Sequence, residues 1–210
     1  MAKLYFRFGA MGSSKTAQAL MTKFNYEEKG KKVKLIKPEI DKRDDIFEKG
    51  KNITLIKSRV GLSAEAKTIK ERENIYKTLS KEIEAGEINV IICDECQFLT
   101  TQQITQLRCI VDDYDIPVLC FGLRTDFRTN LFPGSKRLFE IADSIAEIKS
   151  VCKCGNKAII NTRMKDGKII TEGPQLELGG NEKYEGMCHK CFRKQLKAQL
   201  HSKQTLNNKE

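Results

Sequence analysis

The feature that most restricts how this chain can fold is an octapeptide near its start, Gly9-Ala10-Met11-Gly12-Ser13-Ser14-Lys15-Thr16. It follows a β-rich run over residues 3–8. It precedes residues 15–29, where Ala17, Leu20, Met21 and Phe24 recur at helical spacing and Gly30 supplies a stop. A small, glycine-bearing turn between a strand and a helix lets successive backbone N–H groups point at an anion, and the helix N-terminus adds partial positive charge. In such a P-loop, Lys15 reaches the β- and γ-phosphates of a nucleotide and the Thr16 hydroxyl ligates Mg²⁺. The usual pattern is G-x-x-x-x-G-K-[ST], and Ser14 stands at its second glycine. Serine fits there at negative φ and is strained at positive φ. The plainer alternative is a Gly/Ser turn followed by a chance Lys-Thr.

A second piece makes the first more specific. Ile88–Cys93 is an uninterrupted apolar run, as expected of a central parallel strand covered on both faces. It ends in Asp94-Glu95-Cys96-Gln97-Phe98. An acid at that strand end, Asp94, can hold Mg²⁺, and Glu95 beside it suits a general base. Solvated acids at strand ends are common, so the pair gains meaning only beside the P-loop.

The intervening segments alternate in kind. Val33–Lys37 reads as a strand closed by Pro38, Asp41 to Lys51 as a mobile polar loop, and Ile53–Ser58 as a strand. Residues 64–85 are charged and periodic, with Ile69, Ile75, Leu79 and Ile83 available to one buried face. A helix over 101–113, a strand over Ile116–Leu123, a short helix near Ser135–Ala142 and a strand near Ser144–Lys149 complete an α/β parallel-sheet pattern. After Val151 turn residues and short strands (Ala158–Thr162, Lys168–Thr171) replace the α/β units, and Ser202 to Glu210 reads as a frayed polar tail. The expected division is 1–150, 151–195 and 196–210.

Lys and Arg number 38 against 28 Asp and Glu, a net charge of +10, and residues 151–210 hold +6 of it. This favours an anionic partner without choosing among nucleotide, nucleic acid and acidic membrane. No stretch approaches the roughly 18 apolar residues of a membrane span. The N-terminus lacks the apolar run of a secretory signal, so a cytosolic setting is expected, where clustered cysteines bind metal more often than they form disulfides. Cys152-Lys153-Cys154 and, after 33 intervening residues, Cys188-His189-Lys190-Cys191 match the two close pairs of a structural zinc site. A redox pair and buried free thiols are the alternatives, and His189 is a possible substitute ligand. Cys93, Cys96, Cys109 and Cys120 read as small buried apolar residues.

Taken together, G-A-M-G-S-S-K-T, D-E-C-Q-F, Leu123-Arg124-Thr125-Asp126-Phe127-Arg128, Val60-Gly61-Leu62-Ser63, Gly179-Gly180-Asn181-Glu182-Lys183-Tyr184 and the four cysteines resemble the thymidine kinases of the cellular and bacterial type. The likeness runs from Lys3 to about Lys194. It implies a RecA-like P-loop domain with a zinc-bearing lasso domain, assembled as a homotetramer. The implied reaction is γ-phosphoryl transfer from ATP to the 5′-hydroxyl of thymidine. Residue by residue, Gly9 to Thr16 would hold the triphosphate with Asp94 and Gln97, and Glu95 would be the catalytic base. Asp41 falls where the family has an acid near the sugar hydroxyl, and Arg43 where it has an arginine near the phosphates. Phe127 would stack on thymine, with Leu123 and Met11 lining the pocket. Gln175, Leu176, Glu177, Leu178 and Gly179 would bond the base through their backbone, and Tyr184 would close over it. Phe127 as an ordinary core aromatic is the competing reading.

Two other classes compete with this one. A P-loop ATPase acting on nucleic acid would use Lys190, Arg193, Lys194, Lys197 and Lys203 as its grip, but that stretch offers only Phe192 for stacking. A regulatory nucleotide-binding protein without catalysis would have no need of Glu95.

Overall fold

The computed structural model describes residues 1–48, 51–175 and 184–207. In chain order the elements are β1 (Leu4–Phe8), α1 (Lys15–Glu28), β2 (Val33–Pro38), β3 (Ile46–Glu48), β4 (Lys51–Ile53), β5 (Leu55–Lys57), β6 (Ser63–Glu65), β7 (Lys67–Ile69), α2 (Ile75–Glu84), β8 (Val90–Cys93), a 3₁₀ turn over Cys96–Phe98, α3 (Thr101–Tyr114), β9 (Val118–Gly122), α4 (Pro133–Ile141) and β10 (Ser144–Glu147). Then come β11 (Ser150–Val151), β12 (Lys157–Ala158), β13 (Ile160–Lys165), β14 (Lys168–Ile169), β15 (Tyr184–Met187) and α5 (His189–Asn207).

Two compact units emerge. The first comprises Met1–Phe8, Ser14–Arg124 and Phe132–Ile148. Its six-stranded parallel sheet runs β10-β1-β9-β8-β2-β7. Every residue of β8 and β9 is buried, which is why both read as unbroken apolar runs. β9 lies between the strand leading into the P-loop and the strand ending at Asp94, the arrangement of a RecA-like sheet. Because the strands are parallel, their carboxyl ends share one edge, where ligands bind in open α/β sheets. Ile75, Leu79 and Ile83 of α2 pack on one face with Ile104, Leu107 and Ile110 of α3. Asn74 caps α2 by accepting from the Lys77 N–H (3.0 Å), and Thr100 with Gln103 forms a capping box at the start of α3.

The second unit contains Gly9–Ser13, Thr125–Leu131 and the described residues from Lys149 onward. Its three-stranded antiparallel sheet runs β14-β13-β15, and a small apolar cluster joins Ala10 to Cys152, Ala158, Met187 and Cys188.

Several local expectations change. Residues 64–85 are not one periodic segment. Ile69 lies in edge strand β7, six residues before Ile75, a spacing that no helical face repeats, whereas 75, 79 and 83 do share a face. The stretch from Asp41 to Lys51 is not simply a loop, since β3 pairs antiparallel with β4. Lys37, fully buried, anchors this region by an ion pair to Asp45 (2.8 Å) and a bond to the Leu55 carbonyl (2.7 Å). On α1 the buried stripe is Ala17, Ala19 and Leu20, while Met21 and Phe24 are exposed. Cys109 is exposed on α3, unlike the other three core cysteines. The C-terminal helix continues through Asn207, where a frayed tail from Ser202 was expected. Among the described residues no helix is long and apolar enough to cross a membrane.

Candidate active site

The P-loop begins where β1 ends. Gly12 has φ +76° and Ser14, the residue capping α1, sits at φ 61°, ψ 27°. Serine thus occupies the left-handed conformation that glycine normally fills, at a cost of roughly 1–2 kcal/mol. Within the second unit the first half of the loop is fixed by side chains. The Met11 N–H donates to Asn161 Oδ1 (2.8 Å), the Met11 carbonyl accepts from Ser150 Oγ (3.4 Å), and Asn161 Nδ2 donates to the Thr125 carbonyl (2.8 Å). A Cβ on Gly186 would lie 3.0 Å from the Met11 oxygen, so this strand passes close against the loop.

Within the first unit, Lys15 is buried at the start of α1. Burial lowers its pKa, and the nearby Glu95 and Asp94 work in the opposite sense. Asp94 is pushed up to about 7 by burial and by Glu95, against a hydrogen bond from Thr16 and the charge of Lys15. Its Oδ1 is buried with no hydrogen-bond partner. A buried carboxylate with one oxygen joined to a hydroxyl and the other unsatisfied is the donor set that a hard divalent cation with oxygen ligands uses. Thr16 and Asp94 therefore fit Mg²⁺.

Glu95 follows at φ 51°, a strained left-handed position of the kind found at functional sites. Both of its oxygens are engaged: Arg43 Nη2 donates to Oε1 (2.6 Å) and Gln97 Nε2 to Oε2 (2.5 Å). Arg43 also donates through Nε to Asp41 Oδ1 (2.6 Å). Burial opposes ionisation of Asp41, but Arg43 outweighs it and holds the carboxyl below its usual range. The Arg43 guanidinium is likewise driven upward by Glu95 and Asp41 despite its burial. Gln97, 1% exposed, accepts from the Leu123 N–H (2.9 Å), and the Leu123 carbonyl accepts from Ser135 Oγ (2.5 Å). A Cβ on Gly122 would come within 2.5 Å of Gln97 Oε1, so glycine is required there. Asp41, Arg43, Glu95, Gln97 and Leu123 form one bonded chain across the carboxyl ends of β2, β8 and β9.

In the second unit Phe127 is buried in the turn that follows Arg124. Asp126 organises that turn: its Oδ1 accepts from the N–H groups of Arg128 and Asn130 (both 2.9 Å), and Oδ2 accepts from Gln175 Nε2 (3.1 Å). The Arg163 guanidinium lies 3.9 Å from the Phe127 ring centre and donates to the Tyr184 hydroxyl (2.8 Å through Nη2). Leu176, Glu177, Leu178 and Gly179 lie outside the described residues. Sequence reading gives no role to Arg163 or Asn161, and includes Asp126 only as part of the Leu123–Arg128 motif. Asn161, Thr162 and Arg163 are all buried, against the alternation an exposed strand shows, and that burial shows only in the fold.

Cys152, Cys154, Cys188 and Cys191 bring their sulfurs within 4.8 Å of one another, with Cys154 and Cys188 at 3.6 Å. A tetrahedral zinc with Zn–S of about 2.3 Å needs sulfurs about 3.8 Å apart, so the four fit the ion. Gly155, at φ +85°, closes the knuckle through its N–H to the Cys152 carbonyl (2.8 Å), and Asn156 donates to Cys154 Sγ (3.2 Å). The Asn156 backbone N–H and side-chain amide lower Cys154 to about 6, while hydrogen bonding with Cys154, Cys188 and Cys152 raises Cys191 to about 12. His189 is exposed and stands outside the cluster.

Residues 2–192 match a protein-family model described as thymidine kinase. The thymidine kinase of Shewanella oneidensis is 40% identical over 194 residues, covering 92% of this chain and 97% of that protein. That of Escherichia coli K12 is 41% identical over 197 residues, 93% of each chain. That of Rhodopirellula baltica is 39% identical over 194 residues, 92% of this chain and 89% of that protein.

Proposed function

The chain belongs to the thymidine kinase family, and from that premise we propose how its residues divide the work of an ATP-dependent kinase acting on thymidine. The reaction transfers the γ-phosphate of ATP to the thymidine 5′-hydroxyl, giving thymidine monophosphate and ADP. Phosphoryl transfer needs positioning and charge neutralisation more than covalent help. The backbone of Gly9 to Ser14 cradles the triphosphate, and Lys15 neutralises its β- and γ-oxygens. Mg²⁺, held by Thr16 and Asp94, would supply further charge neutralisation at the phosphates. Glu95 accepts the proton of the 5′-hydroxyl, and Arg43 turns from Glu95 toward the phosphate as charge develops there. Asp41 keeps Arg43 at that edge and lies near the sugar hydroxyl, and Gln97 orients the base from the nucleotide side. Phe127 stacks on thymine, Met11 and Leu123 line its pocket, and Gln175 with Leu176, Glu177, Leu178 and Gly179 bonds the base through backbone groups. Tyr184 closes over it.

The observation that carries this reading is Glu95 held at both oxygens by Arg43 and Gln97 beside the buried Asp94. We further propose a structural zinc in the lasso segment 151–195, a kinase domain over 1–150, a homotetrameric assembly and a cytoplasmic setting, with no role for nucleic acid. One assay addresses the chemistry: purified protein with ATP and Mg²⁺, following ADP release with thymidine, with DNA or RNA, or with neither. Release that depends on thymidine is the expected result. Release stimulated by nucleic acid and indifferent to thymidine would overturn it.

A further inference from the structure

One guanidinium serves two aromatic rings in the second unit. Arg163, in β13, is 3% exposed. Its guanidinium carbon lies 3.9 Å from the centre of the Phe127 ring and 5.5 Å from that of Tyr184. Nε and Nη2 donate to the Tyr184 hydroxyl at 3.0 and 2.8 Å, and Nη2 also donates to the Pro174 carbonyl at 2.9 Å. Burying a guanidinium is costly unless its donors are met and its face is covered. Here one guanidinium lies over the Phe127 ring and gives two hydrogen bonds to the Tyr184 hydroxyl, a combination to which a planar fork is better suited than an ammonium. The backbone register sets this up, because Arg163 pairs directly with Tyr184 across β13 and β15. Pro174 immediately precedes Gln175, which is bonded to Asp126 one residue before Phe127.

We propose that Arg163 is a positioning residue for nucleoside selectivity. It locks Phe127, Tyr184 and the chain at Pro174 into one preorganised frame for a planar pyrimidine, and it does not touch the reacting atoms. The inference rests on Phe127 and Tyr184 being the base contacts. Preorganisation of this kind acts on the capture of the nucleoside and leaves the nucleotide half of the reaction alone.

The test is steady-state kinetics of the full-length chain with thymidine and ATP varied separately, for Arg163→Met, Arg163→Lys, Tyr184→Phe and Phe127→Leu, with thermal unfolding of each. Arg163→Met is expected to raise KM for thymidine about tenfold, the scale of a desolvated cation–ring contact with its hydrogen bonds. KM for ATP and kcat should stay within about twofold, the pattern of lost ground-state positioning. Arg163→Lys should recover little of the loss, because it keeps the charge and lacks the plane. Combining Arg163→Met with Tyr184→Phe should cost less than the two separate losses, since both break the same bond. If Arg163→Met does not fold, Arg163→Lys carries the comparison. An unchanged KM for thymidine in a folded Arg163 variant overturns the proposal, as does an equal loss in every kinetic parameter that tracks a fall in Tm. Phe127→Leu separates the two levels. If it too leaves KM for thymidine unchanged, the base-site reading fails; if it raises KM while Arg163 variants do not, only the role of Arg163 fails.

Discussion

Arg43 Nη2 lies 2.6 Å from Glu95 Oε1, so the proposed general base begins the cycle neutralised by the arginine proposed to stabilise the transferring phosphate. In the proposed cycle, triphosphate binding draws Arg43 away and frees the Glu95 oxygen that it holds. Glu95→Gln should leave nucleotide binding nearly intact and lower turnover by roughly a hundredfold or more, the scale of general-base removal. Arg43→Ala should also lower kcat, by about a hundredfold, through lost charge stabilisation. Single-turnover kinetics with nucleotide-binding titrations would check both, and near-normal turnover of Glu95→Gln would end the base assignment.

The left-handed Ser14 makes a second expectation. Ser14→Gly removes roughly 1–2 kcal/mol of backbone strain but adds about 0.5–1 kcal/mol of unfolded-state entropy. The variant should be more stable by up to about 1.5 kcal/mol, and Ser14→Val should be markedly less stable, because a branched Cβ tolerates φ 61° poorly. Chemical denaturation of the three proteins measures the difference.

Acid should weaken the joint between β1 and β10. Asp143 accepts the Leu4 N–H (2.7 Å) and Arg108 Nη1 (2.5 Å), and Arg108 also pairs with Asp112. Burial opposes ionisation of Asp143, yet those donors hold its carboxyl below the ordinary 3.8. A depressed folded-state value contributes stability that is fully present above the unfolded value and is lost as pH falls through the folded one. Tm should therefore decline below about pH 4. Asp143→Asn should flatten that decline and cost about 1 kcal/mol at neutral pH, the scale of partly exposed charge-assisted bonds.

Much of the sheet edge that carries the candidate site was legible in the chain because it depends on short-range grammar. Strand, Gly/Ser turn and helix follow one another through Gly9 to Thr16, and the apolar run before Asp94 announces a central strand. What stayed hidden depends on partners far apart in sequence. Lys37 stands among many basic residues in the sequence, and only the fold brings Asp45 and the Leu55 carbonyl to it. Gln97 gave no sign that it joins Glu95 to the Leu123 amide. Arg163 was one charge among the basic residues of the C-terminal third, and only the β13–β15 pairing brings it to Tyr184. The periodic reading of residues 64–85 failed for a related reason: charge conceals where an edge strand stops and a capped helix begins.

Removing the proposed zinc should be felt at the nucleotide. Ala10 packs in the same apolar cluster as Cys152 and Cys188, and the Met11 N–H is held by Asn161. Structural zinc contributes folding energy to the segment it crosslinks. Chelation by a strong zinc ligand should weaken binding of a fluorescent ATP analogue by at least about tenfold and lower Tm together, with restoration on adding one zinc per chain. Undiminished nucleotide affinity in the fully stripped protein would break this link.

The same packing bears on the order in which the molecule is made. Ala10 leaves the ribosome early, but its neighbours in the cluster include Met187 and Cys188. At about 5–20 residues per second, roughly 10 to 35 seconds of synthesis separate the phosphate loop from the partners that complete its footing. A nascent chain can pair its early parallel strands and still have no finished cradle for a triphosphate. The apolar footing of the loop is thus completed near the end of translation, and a chain truncated before Cys188 lacks part of it whatever the state of its sheet.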